Sequence, residues 1–98
     1  MFEIRRTAEF DVWFTGLRDV PTRIRLARRL DKASRGLLGD CRPVGSSVSE
    51  MREDFGPGWR LYFTQRGSTV VVMLGGGEKS TQTKDIAAAI ALAATLED

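Results

Sequence analysis

The stretch LGGGEKSTQTKDI, residues 74–86, sets three glycines, a lysine and two hydroxyl residues in an order close to that of a phosphate-binding loop. Such a loop wraps backbone N–H groups around a phosphate while its lysine reaches across, and it needs a glycine directly before that lysine. Glu78 occupies that place, and Met73 stands where the first glycine belongs. A carboxylate beside a triphosphate repels it. Only 18 residues follow Ser80, too few for the further parallel strands of a nucleotide-binding sheet. The glycines read instead as the end of a strand, with Ser80 or Thr81 starting a helix. Lys79 then needs another role. Strand alternation puts Arg52 on one strand, and Arg60 and Tyr62 on the next, on the side of a sheet opposite to their apolar neighbours. Arg52, Arg60, Tyr62 and Lys79 together are three cations and a phenol, types that bind phosphodiester oxygens and stabilise their charge. Spacing alone fits an ordinary solvated sheet face equally well.

The elements that would position these residues follow from periodicity. Phe2 and Ile4 alternate with Glu3 and Arg5, as in a short strand. Phe10, Trp13, Phe14 and Leu17 recur at i, i+3, i+4 and i+7, an amphipathic helix whose aromatic stripe belongs in a core. Asp19 can cap a second helix, with Pro21 in its first turn and Gly36 beyond its end. Ile24, Ala27 and Leu30, with Val20 and Leu26, form its expected buried side. The short connection makes these two helices an antiparallel hairpin. LLGDCRPVGSS, residues 37–47, reads as a loop. Three strands follow in VSEMREDF, WRLYFTQR and TVVVMLG, separated by GPG and GS turns. Ile86, Ala89, Ile90 and Ala93 share one face of a last helix. The expected fold is α+β, one domain over residues 1–98, in the order β-α-α-β-β-β-α. Its sheet is expected to be antiparallel, with the helical hairpin on one face and a C-terminal helix. Met51, Phe55, Trp59, Leu61 and Phe63 should pack under the helices, leaving Arg52, Arg60 and Tyr62 on the other face.

Composition narrows the chemistry. The chain has no histidine, which excludes histidine catalysis and histidine-ligated metal. Cys41 is alone, so no internal disulfide forms, and neither a metal site nor a cofactor is expected. The opening residues MFEIRR lack the apolar run of a secretory signal, and the longest uncharged run near the end, residues 86–96, is shorter than the roughly 20 residues that span a bilayer. A cytoplasmic protein without a membrane segment is expected. The net charge is only +2, yet residues 18–42 hold eight basic and three acidic residues. A basic segment of this kind fits a polyanion partner or a solvated helix face.

Taken in order, FDVWFTGLRD, RIRLARRL, GLLGDCRPVGSSVSEMR, GPGWRLYF and GGGEKSTQTKDIAAA resemble the small addiction-module killer proteins of the HigB-like branch of the RelE/ParE toxin superfamily. The likeness runs through nearly all of the chain. It implies a RelE-like fold and a type II toxin neutralised by a HigA-like helix-turn-helix antitoxin. It further implies metal-independent cleavage of mRNA on the translating ribosome. The arginine of the family's G-[YW]-R strand, the basic residue after the last strand and the arginine of the E-[LM]-R strand fall on Arg60, Lys79 and Arg52. Tyr62 joins them as a candidate catalytic residue, and Arg23, Arg28, Arg35, Arg66 and Lys84 are the expected RNA-binding residues. Antitoxin contacts are expected on the basic segment, Arg25 and Arg29 included, or across the sheet face. Some relatives use histidines, or a tyrosine near the C-terminal helix. This chain has no histidine and only Tyr62, so the general base stays open. Two alternatives share the fold: a ParE-like gyrase poison without a nuclease site, and a degenerate toxin that only binds its partner.

Overall fold

A computed structural model describes residues 1–96. Five strands and three helices follow one another as β1 (Glu3–Arg6), α1 (Ala8–Thr15), α2 (Val20–Ser34), β2 (Cys41–Gly45), β3 (Val48–Arg52), β4 (Trp59–Arg66), β5 (Val70–Glu78) and α3 (Gln82–Thr95), with a 3₁₀ turn over Lys79–Thr81 before α3. The sheet order is β1-β5-β4-β3-β2. The fold is α+β, as the sequence led one to expect, and β3, β4 and β5 form the expected antiparallel meander.

The sheet departs from expectation in two ways. It is mixed, because β1 runs parallel to the first half of β5, with Glu3 opposite Val70 and Arg6 opposite Met73. It also has a strand more than expected: the segment read as a loop contains β2, antiparallel to β3. Two features hid it. Pro43 cannot donate to a ladder, which is tolerated here because β2 lies at the sheet edge. The turn into β3 places Ser46 and Ser47 at φ 50° and 65°, a tight-hairpin geometry that sequences usually announce with Asn-Gly rather than Ser-Ser.

The start of α2 is capped as read from the sequence, and α1 has a cap the reading missed, whereas Thr81 starts α3 without a side-chain cap bond. Asp19 accepts from Thr22 N at 3.1 Å and from Thr22 Oγ1 at 2.6 Å. Thr7 accepts from Phe10 N while its own hydroxyl donates to Met73 O at 2.8 Å, which ties the start of α1 to β5. The buried stripe of α2 is Thr22, Leu26, Leu30 and Ala33, whereas Val20, Ile24 and Ala27 are exposed. The expected side was thus off by part of a turn, because Thr22, its hydroxyl satisfied by Asp19, takes an inward position.

One face of the sheet packs Met51, Leu61, Phe63, Val71 and Met73 against Phe10, Leu26, Leu30 and Ala33, with Trp13, Phe55 and Trp59 at the margin. This matches the expected core face. The other face is covered as well: Val48, Tyr62, Val72 and Leu74 pack under Ala89 and Ala93 of α3. The side expected to present Arg52, Arg60 and Tyr62 is therefore largely a second interior.

Arg29 joins α2 to the sheet. Its guanidinium donates to Leu38 O, Asp40 O and Arg52 O at 2.8–3.2 Å and pairs with the Glu53 carboxylate. The two charged side chains are only 11% and 18% exposed. Removing one partner of a buried pair strands the other charge. Arg29→Ala should lower unfolding stability by about 3–5 kcal/mol, while Arg28→Ala, one position away and exposed, should stay within about 0.5 kcal/mol. Urea denaturation of the two variants side by side checks this.

Candidate functional site

The end of the sheet that carries the GPG turn brings two of the four chosen residues together. Gly58 has φ +78°, and a Cβ placed on it would lie 3.2 Å from Lys79 Cβ and 3.6 Å from Arg60 Nη1. Lys79 N also approaches Pro57 O at 3.4 Å. Lys79 is exposed. Arg60 is not: it is 8% exposed, and its Nη1 donates to Glu53 O at 3.2 Å and Trp59 O at 3.1 Å. It was expected to face outward. It does face away from the Trp59/Leu61 side, but the second covered face has taken it in. Its Nε has no partner among the described residues.

Arg52 is the direct cross-strand partner of Arg60. Its Nε turns to Asp40 Oδ2 at 3.2 Å, into a groove of about 470 Å³ shared with Arg25, Arg29, Glu53, Asp54 and Phe55. Tyr62 is fully buried, and its hydroxyl has no partner among the described residues. Burial pushes the phenol up to about 12, and the nearby charges of Glu50 and Asp85 act in the same direction against a smaller opposing effect of Arg60. Tyr62 is therefore a neutral interior phenol at physiological pH.

Glu50 shares this side of the sheet and was not singled out. It is fully buried opposite Tyr62. Both carboxylate oxygens accept from Gln82 Nε2, at 3.1 and 2.9 Å, and Arg42 Nε stands 3.8 Å away. Strand alternation assigns Glu50 to the Arg52 side, which was the one signal available in the sequence.

The expected RNA-binding residues are dispersed over the molecule. Arg28 and Arg35 are exposed on or just after α2, the latter 3.2 Å from Asp31. Arg23 is half-buried, Arg66 donates to Ala93 O at 3.3 Å, and Lys84 lies on α3. The denser positive feature is a row at i, i+3, i+4 and i+7: Arg25, Arg28, Arg29 and Lys32 line a cleft of about 240 Å³ with Glu53. Within it Arg29 is bound internally, as described, and the Arg25 guanidinium stacks 3.7 Å above the Phe55 ring centre. Arg29 is thus not available as the antitoxin contact it was expected to make. Among the described residues no cluster of His, Cys, Asp and Glu could hold a metal ion, and no helix is long and apolar enough to cross a membrane.

An uncharacterized protein of Haemophilus influenzae is 35% identical to this chain over 94 residues, which covers 96% of this chain and 95% of its own length. The two chains belong to one family. The shared unit is therefore nearly the whole of the domain described above. No family model and no solved structure matches the chain.

The isolated hydroxyl of Tyr62 gives a test of this interior. Its pKa in the fold stands above the ordinary 10.0, so the stability that comes from keeping it neutral is complete below pH 10 and is lost as pH rises toward about 12. Tyr62→Phe removes an unpartnered buried polar group and should be neutral at pH 7 or stabilising by about 1 kcal/mol. It should also shed part of the wild-type loss of stability between those pH values. Thermal unfolding of both proteins from pH 7 to 11.5 measures both effects. Identical slopes would mean that the phenol ionises in contact with water.

Proposed function

We propose that the protein is the toxin of a type II toxin–antitoxin pair with a RelE-like arrangement of its strands, and that it cleaves mRNA at the ribosome without a metal or cofactor. The observation that carries the reading is the meeting of Lys79 and Arg60 at Gly58, where the β3–β4 turn and the end of β5 converge. In metal-free RNA cleavage the 2′-hydroxyl attacks the neighbouring phosphorus and gives its proton to water. The bond from phosphorus to the 5′-oxygen breaks, that oxygen is protonated, and a cyclic phosphate and a 5′-hydroxyl result. Lys79, exposed and cationic, can approach the phosphoryl oxygens or protonate the leaving oxygen. Arg60 adds a fixed charge behind it, which acts strongly because its surroundings are partly dry. Orientation of the RNA on the ribosome supplies much of the rate. The partner is a HigA-like helix-turn-helix antitoxin, and the site of action is the cytoplasm.

A second reading is favoured by a specific observation. Arg60 already spends Nη1 on two backbone carbonyls and is buried, and Tyr62 is sealed under α3. A ParE-like toxin that poisons gyrase, or a toxin that only binds its antitoxin, needs neither residue at the surface.

Brief expression without antitoxin, followed by mapping of mRNA 5′ ends and of DNA breaks, separates the readings. Internal mRNA cuts are expected, with intact DNA. Lys79→Ala, at an exposed site, should fold normally, bind antitoxin and cut about 100- to 1000-fold more slowly. Arg60→Ala should lose cleavage to at least that degree, with its folding checked by thermal unfolding. Arg5→Ala, a change at an exposed residue that pairs with Glu3, should leave cleavage intact. DNA breaks with unbroken mRNA would establish the gyrase reading.

A further inference from the structure

The outer edge of β5 is occupied along only half its length. β1 pairs with Val70–Met73 and ends at Arg6, after which Thr7 turns the chain into α1. β5 continues to Glu78, held by β4 on its inner side. Among the described residues no strand pairs with the outer side of Leu74–Glu78. An unpaired strand edge offers a row of N–H and C=O groups to another strand.

The edge lies in a groove. One part, of about 210 Å³, is lined by Glu9 and Trp13 of α1, by Leu74, Gly75 and Gly76, and by Asp85, Ala88 and Leu92 of α3. A second part, of about 270 Å³, shares Trp13, Gly76 and Asp85 and runs on past Leu17, Gly77, Glu78 and Lys84. The helices stand on opposite faces of the sheet, so a groove touching both lies at the sheet edge. A Cβ on Gly75 would meet nothing within 4 Å. Glu78 donates its N–H to the Thr81 hydroxyl and accepts from it at its C=O, so the free edge is Leu74–Gly77, four residues that at roughly 3.3 Å each make a slot about 13 Å long.

We propose that this slot takes an extended peptide segment of another protein as a sixth strand, laid beside β5 in line with β1. The proposal is independent of the functional reading above. The first half of the same edge already holds an extended segment of this chain, so the ladder need only continue. Backbone hydrogen bonds would supply affinity, and alternate side chains would meet Trp13 and Leu17 on one face and Ala88 and Leu92 on the other. Glu9, Glu78 and Asp85 against Lys84 leave the walls net acidic, which selects a segment with apolar residues and at least one lysine or arginine.

The test titrates the ¹⁵N-labelled full chain with a capped hexapeptide of alternating valine and lysine, followed by NMR. Two further peptides are N-methylated at every valine or at every lysine. A strand bound by one edge tolerates methylation at one parity and not at the other. The expected result is saturable shifts at Leu74–Gly77, Ala88 and Leu92, with one methylated peptide binding about tenfold or more weakly and the other unchanged. Ala88→Arg, at an exposed helix position, should keep the fold and weaken binding to a similar degree. Three results would overturn the proposal: equal binding of all three peptides, shifts centred on α2, or no saturable binding at millimolar concentration. Concentration-dependent shifts at the same amides without peptide would assign the edge to a second copy of this chain, which also overturns it.

Discussion

Two adjacent glycines set the distance between the sheet and the helices on either side of it. A Cβ on Gly76 would stand 2.4 Å from the Trp13 ring, and one on Gly77 would stand 1.9 Å from the Asp85 carboxylate. A side chain at Gly76 would displace the Trp13 ring, and one at Gly77 would push the Asp85 carboxylate away from Thr81. On one face this contact seats Trp13, which meets Trp59 edge-on at 6.2 Å and Phe10 at 5.8 Å, and so anchors α1 to the core. On the other face Asp85 accepts from Thr81, whose hydroxyl also interacts with Glu78 across the 3₁₀ turn. That turn carries Lys79. The glycine run that resembles a phosphate loop in the sequence is therefore a packing device, and the lysine after it stands on the turn that adjoins that packing.

The parts of this fold that were legible are those where one periodicity had no competitor. In WRLYFTQR the alternation of large apolar residues with polar ones fixed which side of β4 meets α1 and α2, and the structure keeps that side. Asp19 and Pro21 marked the start of α2 because few other sequences satisfy the first free N–H groups. The α2 stripe was harder. Its sequence offers Val20, Ile24 and Ala27 beside Thr22, Leu26, Leu30 and Ala33, and a threonine counts as polar until its hydroxyl is seen to be capped. β2 was hidden by a proline that only an edge strand tolerates and by two serines in left-handed backbone.

The candidate site was half legible for a related reason. Alternation tells which side of a strand a residue occupies, but it does not tell whether that side is wet. The helix that seals the second face is rich in alanine, and its burial signal is correspondingly weak: its buried residues over Val72, Leu74 and Tyr62 are Ala89 and Ala93, while Ile86, Ile90 and Leu92 pack beside them only partly buried. Arg60, Tyr62 and Glu50 were thus assigned to the right side and are interior all the same. A buried carboxylate beside a neutral phenol and a half-satisfied guanidinium costs stability that an apolar set would not. Such a cost is borne where polar groups set specificity or function, and Gln82, by holding Glu50 from the first turn of α3, links that cost to the placement of the helix itself.

The basic segment also divides once its contacts are known. Arg29 is spent inside the fold, Arg35 faces Asp31, and Arg42 lies beside Glu50. Arg18, Arg28 and Lys32 remain exposed, and Arg25, also exposed, is stacked on Phe55. Next to them Val20 and Ile24 are 50% and 47% exposed. A surface that binds nucleic acid through its phosphates has little use for exposed aliphatic side chains, whereas a protein contact uses an apolar centre with charges at its rim. On the proposed reading, α2 is therefore better suited to the antitoxin than to RNA. RNA would approach from the GPG end, where Lys79 stands exposed without such apolar neighbours from α2. The two partners would then occupy different parts of the molecule, and neutralisation would have to act by blocking entry to the ribosome rather than by covering the lysine.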